Sequence, residues 1–132
     1  DAGAASYGME AAQKIGVVPQ QVFKTLVVDT GSKRLAVAVL PVDQQLNLKL
    51  MAKAIGAKRV VMADPDAVSR SSGYVLGGVS PIGQKRALTT VIDVSAQRFE
   101  RIYVSGGRRG LEIELAAKDL ASVTEGQFAA IT

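Results

Sequence analysis

Residues Val22–Pro41 read VFKTLVVDTGSKRLAVAVLP, two apolar runs separated by a short polar turn. The first run, Val22–Asp29, is rich in β-branched residues and reads as a buried strand. Thr30–Lys33 (TGSK) supplies turn chemistry, and Leu35–Pro41 reads as a second strand, the hairpin partner of the first. Outward toward the N-terminus, Ser6–Ile15 is dominated by helix formers. Met9, Ala12 and Ile15 there are spaced for one buried face. Gly16 stops that helix and Pro19 keeps the following linker extended. Toward the C-terminus, Asn47 is placed to cap a helix over LKLMAKAI that Gly56 ends. RVVMA (Arg59–Ala63) reads as a third strand, and Asp64-Pro65 as the start of a short helix to about Ser72. TTVID is a further strand and SAQRF a short helix or turn. IYVSGG and LEIEL pair around a GGRRG turn, AAKDLASVT forms a helix, and FAAI is a closing strand. Strands and short helices in this alternation, with hairpins, predict an α+β single domain with a mixed, largely antiparallel sheet and short flanking helices.

Composition narrows the chemistry. The 132 residues contain no histidine and no cysteine. A Ser–His–Asp triad, thiolate catalysis and a cysteine or histidine zinc site are therefore excluded. A chain of this length buries roughly two thirds of its unfolded surface, so it needs no staple. No apolar run approaches the ~20 residues of a membrane span. Sixteen Lys and Arg against twelve Asp and Glu leave a net charge of +4, a modest excess by itself. Lys85-Arg86 and Arg108-Arg109, however, flank glycine-rich segments, a placement suited to phosphate.

Three segments carry candidate chemistry. Lys24 lies inside the first strand. It is either a cation at the solvent-facing phase of that strand or one that projects into a cleft and holds a phosphate or carboxylate. Gly77, Gly78 and Gly83 surround Ser80-Pro81 in LGGVSPIG. Such a loop is either a plain connection or an array of backbone amides for an anion or developing oxyanion. It fits neither a dinucleotide fingerprint nor a P-loop. Tyr74, just before it, either covers a ligand or edges the core. Ser105 could donate into a cleft, but a serine nucleophile would lack a histidine to activate it. Glu112 and Glu114 share one strand face, the ordinary pattern of a solvated face.

FKTLVV, IGAKRVVMADP, GYVLGGVSPIGQK, TVID and IYVSGGRRGLEIELAAKDL, in this order and over almost the whole chain, closely resemble the YbaK/EbsC family. Its members are free-standing aminoacyl-tRNA deacylases related to the editing domain of prolyl-tRNA synthetases, and the match looks closest to the Cys-tRNA(Pro) deacylase type. The resemblance implies that editing-domain fold and a cytoplasmic hydrolase with no cofactor, metal or membrane. Its substrate would be Cys-tRNA(Pro) and also Cys-tRNA(Cys), with prolyl-tRNA synthetase as a transient partner. A deacylase for another small amino acid, such as alanine on tRNA(Pro), and a non-catalytic aminoacyl-tRNA or nucleotide-binding module are the alternatives.

Residue by residue, the family's essential lysine falls on Lys24, its GYxxGG tyrosine and glycine on Tyr74 and Gly77, and its YVSGG serine on Ser105. Lys24, Gly77 and Ser105 are thus the catalytic candidates. Tyr74, Gly78, Ser80, Pro81, Gly106 and Glu112 are the substrate-binding ones, Glu112 matching a position where relatives can carry aspartate. The implied mechanism has the cysteine thiol attack its own ester, with the protein holding the reacting atoms. The family usually adds an N-terminal segment that closes part of the cleft. The sequence does not display it, so residues 1–132 are expected to form one editing domain lacking that segment.

Overall fold

A computed structural model describes residues 4–31, 34–64, 88–107 and 111–132, with the side chains of the first helix described from Met9 onward. In chain order these residues form α1 (Ala4–Ile15), β1 (Phe23–Asp29), β2 (Leu35–Pro41), α2 (Leu48–Ile55) and β3 (Val61–Met62). They continue with β4 (Thr89–Asp93), β5 (Ile102–Ser105), β6 (Glu112–Leu115), α3 (Ala117–Thr124) and β7 (Gln127–Ala129). Single 3₁₀ turns cover Pro19–Gln21 and Val94–Arg98. The expected helix after Asp64 lies outside the described residues.

The 22–41 hairpin forms in full register, from Phe23 opposite Pro41 to Asp29 opposite Leu35. It nucleates a mixed sheet in the order β3-β1-β2-β4-β7. β3 joins antiparallel, whereas β4 runs parallel to β2 and β7 parallel to β4. β2 is the central strand, and its uninterrupted apolar run follows from burial on both faces. Ala36, Ala38 and Leu40 point to one side, where Val28, Val91 and Ile131 meet Met51 and Ala52 of α2. Val37 and Val39 point to the other, where Phe23 and Ile92 meet Ile102 and Val104 of β5 and Leu120 of α3.

Caps explain the extent of α2. The Asn47 carboxamide oxygen accepts the Leu50 amide at 3.0 Å, and Gly56 closes the helix in the left-handed region at φ +72°. Asp93 ends β4 fully enclosed. One carboxylate oxygen accepts the Ile131 amide at 3.0 Å, and the other accepts the amide and hydroxyl of Ser95. A buried carboxylate is tolerated here because it is saturated with donors.

Three expectations need correction. On α1 the packed residue is Ala12, against Val22 and Val42, while Met9 and Ile15 are 43% and 37% exposed. From Met9 onward, therefore, the apolar spacing does not become a buried stripe. RVVMA forms a strand only at Val61–Met62, opposite Asp29 and Val28, with one further bond from the Ala63 amide to the Val27 carbonyl at 3.0 Å. The closing strand is Gln127–Ala129 rather than FAAI, since Ile131 turns inward to the core.

Candidate active site

The β5–β6 hairpin is a second, two-stranded sheet. It is tied to the edge of β1 by one parallel bridge, Val22 to Tyr103. The Gln21 carboxamide reinforces this joint by donating to the Arg101 carbonyl at 2.9 Å. Side chains alternate along both strands, so residues two positions beyond the bridge face the same way. Those residues are Lys24 on β1 and Ser105 on β5. Ser105 in turn pairs with Glu112 on β6. The register therefore sets Lys24, Ser105 and Glu112 at one level across three strands. With strands spaced ~4.8 Å, the backbones carrying the lysine and the glutamate stand roughly 10 Å apart.

Each member of this row is partly enclosed. Lys24 sits opposite fully buried Leu40, and burial lowers its pKa from the ordinary lysine value, an effect partly offset by the negative charge of Asp43. Among the described residues no carboxylate comes within ion-pair distance of it. Burial alone raises the pKa of the Glu112 carboxyl. Glu114, at the same strand phase but level with Tyr103, is exposed. The Ser105 hydroxyl accepts the Gly107 amide at 3.2 Å, which fixes its oxygen and leaves its own proton to donate.

The turn after Ser105 is tight. The Gly106 amide donates to the Leu111 carbonyl at 2.7 Å, and a Cβ at Gly106 would stand 2.6 Å from the Leu111 side chain. Glycine at 106 thus has a steric reason in the hairpin itself. Gly107 adopts φ +111°, a conformation that side chains disfavour.

Of the predicted residues, Lys24, Ser105, Gly106 and Glu112 are brought to this corner. Tyr74, Gly77, Gly78, Ser80 and Pro81 lie outside the described residues, as do Lys85-Arg86 and Arg108-Arg109. Asp43 is the residue the sequence reading does not single out. The hairpin register holds its signal, because Val42 donates its amide to the Val22 carbonyl at 2.9 Å and Asp43 follows directly. Among the described residues no group of three His, Cys, Asp or Glu is placed to hold a metal ion. None of their helices is long and apolar enough to cross a membrane.

The α+β scaffold thus carries a cation, a hydroxyl and a carboxylate in one row. Comparison with known proteins specifies the class. Residues 2–123 match the aminoacyl-tRNA editing domain family. A relative in Enterococcus faecalis, named "Putative Cys-tRNA(Pro)/Cys-tRNA(Cys) deacylase EbsC", is 43% identical over 92% of this chain and 74% of its own length. The "Multifunctional Ser/Thr-tRNA deacylase ProXp-y" of Escherichia coli is 28% identical over 74% of this chain and 59% of its own. A crystal structure described as "a putative trans-editing enzyme for prolyl tRNA synthetase" superposes with a TM-score of 0.87 at 26% identity, covering 95% of this chain and 78% of that one. The chain belongs to the aminoacyl-tRNA editing family of the YbaK/EbsC type. It is a hydrolase of the aminoacyl-tRNA deacylase class, a function of tRNA editing and translation fidelity.

Proposed function

We propose that this protein deacylates Cys-tRNA(Pro), and also Cys-tRNA(Cys), in the cytoplasm, with the substrate's own thiol as nucleophile. The observation that carries the reading is the Lys24–Ser105–Glu112 row, which presents a cation, a hydrogen-bond donor and a carboxylate in a chain that has no histidine or cysteine to serve as base or nucleophile. The 43% identity to EbsC supports the choice of cysteine.

In the proposed reaction the cysteine sulfur bonds to the ester carbonyl carbon. The bond from that carbon to the ribose oxygen breaks, and this oxygen leaves carrying the proton given up by the thiol. The products are free tRNA and a cyclic thiolactone, which water later opens. Orientation is the protein's contribution, and for an intramolecular attack it can replace as much as ~7–11 kcal/mol of barrier. Lys24 holds a phosphate of the terminal nucleotide, Ser105 donates to the adenosine, and backbone groups around Gly77 orient the aminoacyl group. Prolyl-tRNA synthetase, as a transient partner, supplies tRNA identity.

The test is deacylation of Cys-, Ser- and Ala-tRNA(Pro) by the purified protein under single-turnover conditions. Thiol self-attack predicts that the cysteine ester is cleaved far faster than the serine and alanine esters. Equal rates on cysteine and serine esters rule out the thiol mechanism, and faster cleavage of alanine assigns the pocket to that amino acid.

A further inference from the structure

We infer that Glu112 receives the α-ammonium of the aminoacyl ester, so that the pocket accepts esters of free amino acids and rejects those whose amino group is acylated. This rests on the deacylase reading above and specifies which esters the site takes.

The position of the carboxylate comes first. Glu112 is one strand from Ser105 and two from Lys24, at the same level and on the same face. An aminoacyl-nucleotide ester carries its anionic phosphates at one end. Its single cation lies at the other, on the carbon next to the scissile carbonyl. The row presents the complementary order, with a cation, a hydroxyl and then a carboxylate over roughly 10 Å.

The second observation is the state of that carboxylate. Among the described residues Glu112 has neither an ion pair nor a hydrogen-bond donor, although it is half-buried. Burial favours its neutral form, a standing cost that an arriving ammonium would offset. Lys24 does not play this part, since no ion pair forms between the two. Asp43 lies near the lysine end of the row and Glu114 is exposed one level away, so neither competes for the same place.

The third element is chemical. Acylation turns the α-ammonium into a neutral amide, which leaves the carboxylate desolvated and unpaired in the complex. Peptidyl-tRNA has just such an amide. A site built this way removes a mischarged amino acid before it is used and spares a growing chain.

The experiment compares Cys-tRNA(Pro) with N-acetyl-Cys-tRNA(Pro), using the intact protein and its Glu112→Gln variant. Acetylation keeps the thiol and the tRNA in place but makes the thiol a weaker acid, so the comparison is repeated across pH. Each rate is divided by the spontaneous hydrolysis rate of the same ester, which removes the amino group's intrinsic effect on ester reactivity. For the wild type we expect kcat/KM to favour the free-amino ester about 10- to 100-fold, the scale of one charge-assisted hydrogen bond. Glu112→Gln should bring that preference close to unity, mainly by losing activity on the free-amino ester. Equal wild-type rates on the two esters, or an undiminished preference in Glu112→Gln, overturns the assignment of Glu112 and leaves the deacylase reading standing. No cleavage of any aminoacyl-tRNA by the wild type overturns both.

Discussion

Replacing Lys24 with methionine separates the cost of the site from its use. Methionine keeps much of the apolar stem beside Leu40 and removes only the ammonium. In the folded protein this ammonium is half withdrawn from water with no ion pair among the described residues, so little structural interaction is lost with it. A charge-assisted hydrogen bond to a substrate phosphate contributes about 1.5–3 kcal/mol. At 1.36 kcal/mol per tenfold, its loss lowers kcat/KM by about 10- to 150-fold. Stability moves the other way. Burial lowers the folded-state pKa of Lys24 below its unfolded value, so at neutral pH, where both states are charged, folding carries a desolvation penalty. That penalty fades as pH rises from the folded toward the unfolded value. Lys24→Met is therefore expected to be at least as stable as wild type at pH 7, with its advantage shrinking in alkali. Single-turnover deacylation of Cys-tRNA(Pro) and urea titrations at pH 7 and pH 10 read both effects. Turnover within twofold of wild type would remove Lys24 from the site, and a lower urea midpoint at pH 7 would show that its ammonium is structural.

Three further outcomes follow from the same physics. Glu112→Gln should raise stability at neutral pH and lose that advantage as pH falls through the raised folded-state pKa of Glu112, because wild type then folds with a neutral carboxyl; an unchanged stability–pH curve contradicts this. The Thr25 hydroxyl is buried with no hydrogen-bond partner among the described residues, so Thr25→Val should stabilise by about 1 kcal/mol in urea, and a loss of stability would mean the hydroxyl is used. Asp93→Ala strips the Ile131 amide and both Ser95 donors of their acceptor and should cost about 3 kcal/mol, seen as a lower melting temperature; a loss under about 1 kcal/mol would deny the carboxylate its anchoring role.

The parts of the fold legible in the sequence are those set by neighbours in the chain. Val22–Pro41 states its own hairpin, and Asn47 and Gly56 bracket α2 with cap chemistry that works locally. Non-local facts were harder to read. Nothing in the spacing of Met9, Ala12 and Ile15 says that only Ala12 of the three will be buried. Glu112 and Glu114 are equivalent by strand phase. The fold leaves Glu112 half-buried and Glu114 exposed, a difference that strand phase does not carry. Strand patterning likewise leaves Lys24 undecided between solvent and cleft, and in the fold it is half-buried. The resemblance carried by FKTL and YVSGG singles out Lys24 and Ser105, but not the order in which they line up with Glu112.

The joint between Val22 and Tyr103 has a consequence for when the site exists at all. Its cation comes from one end of the chain and its hydroxyl and carboxylate from the other, held by a ladder a single rung long. Closing so distant a contact is entropically late work in folding. A partly assembled molecule can keep the β1–β2 hairpin and α2 yet lack the Lys24–Ser105–Glu112 row. Competence to cleave is thus a sensitive reporter of complete folding, and mild denaturant should silence the enzyme before its helices melt.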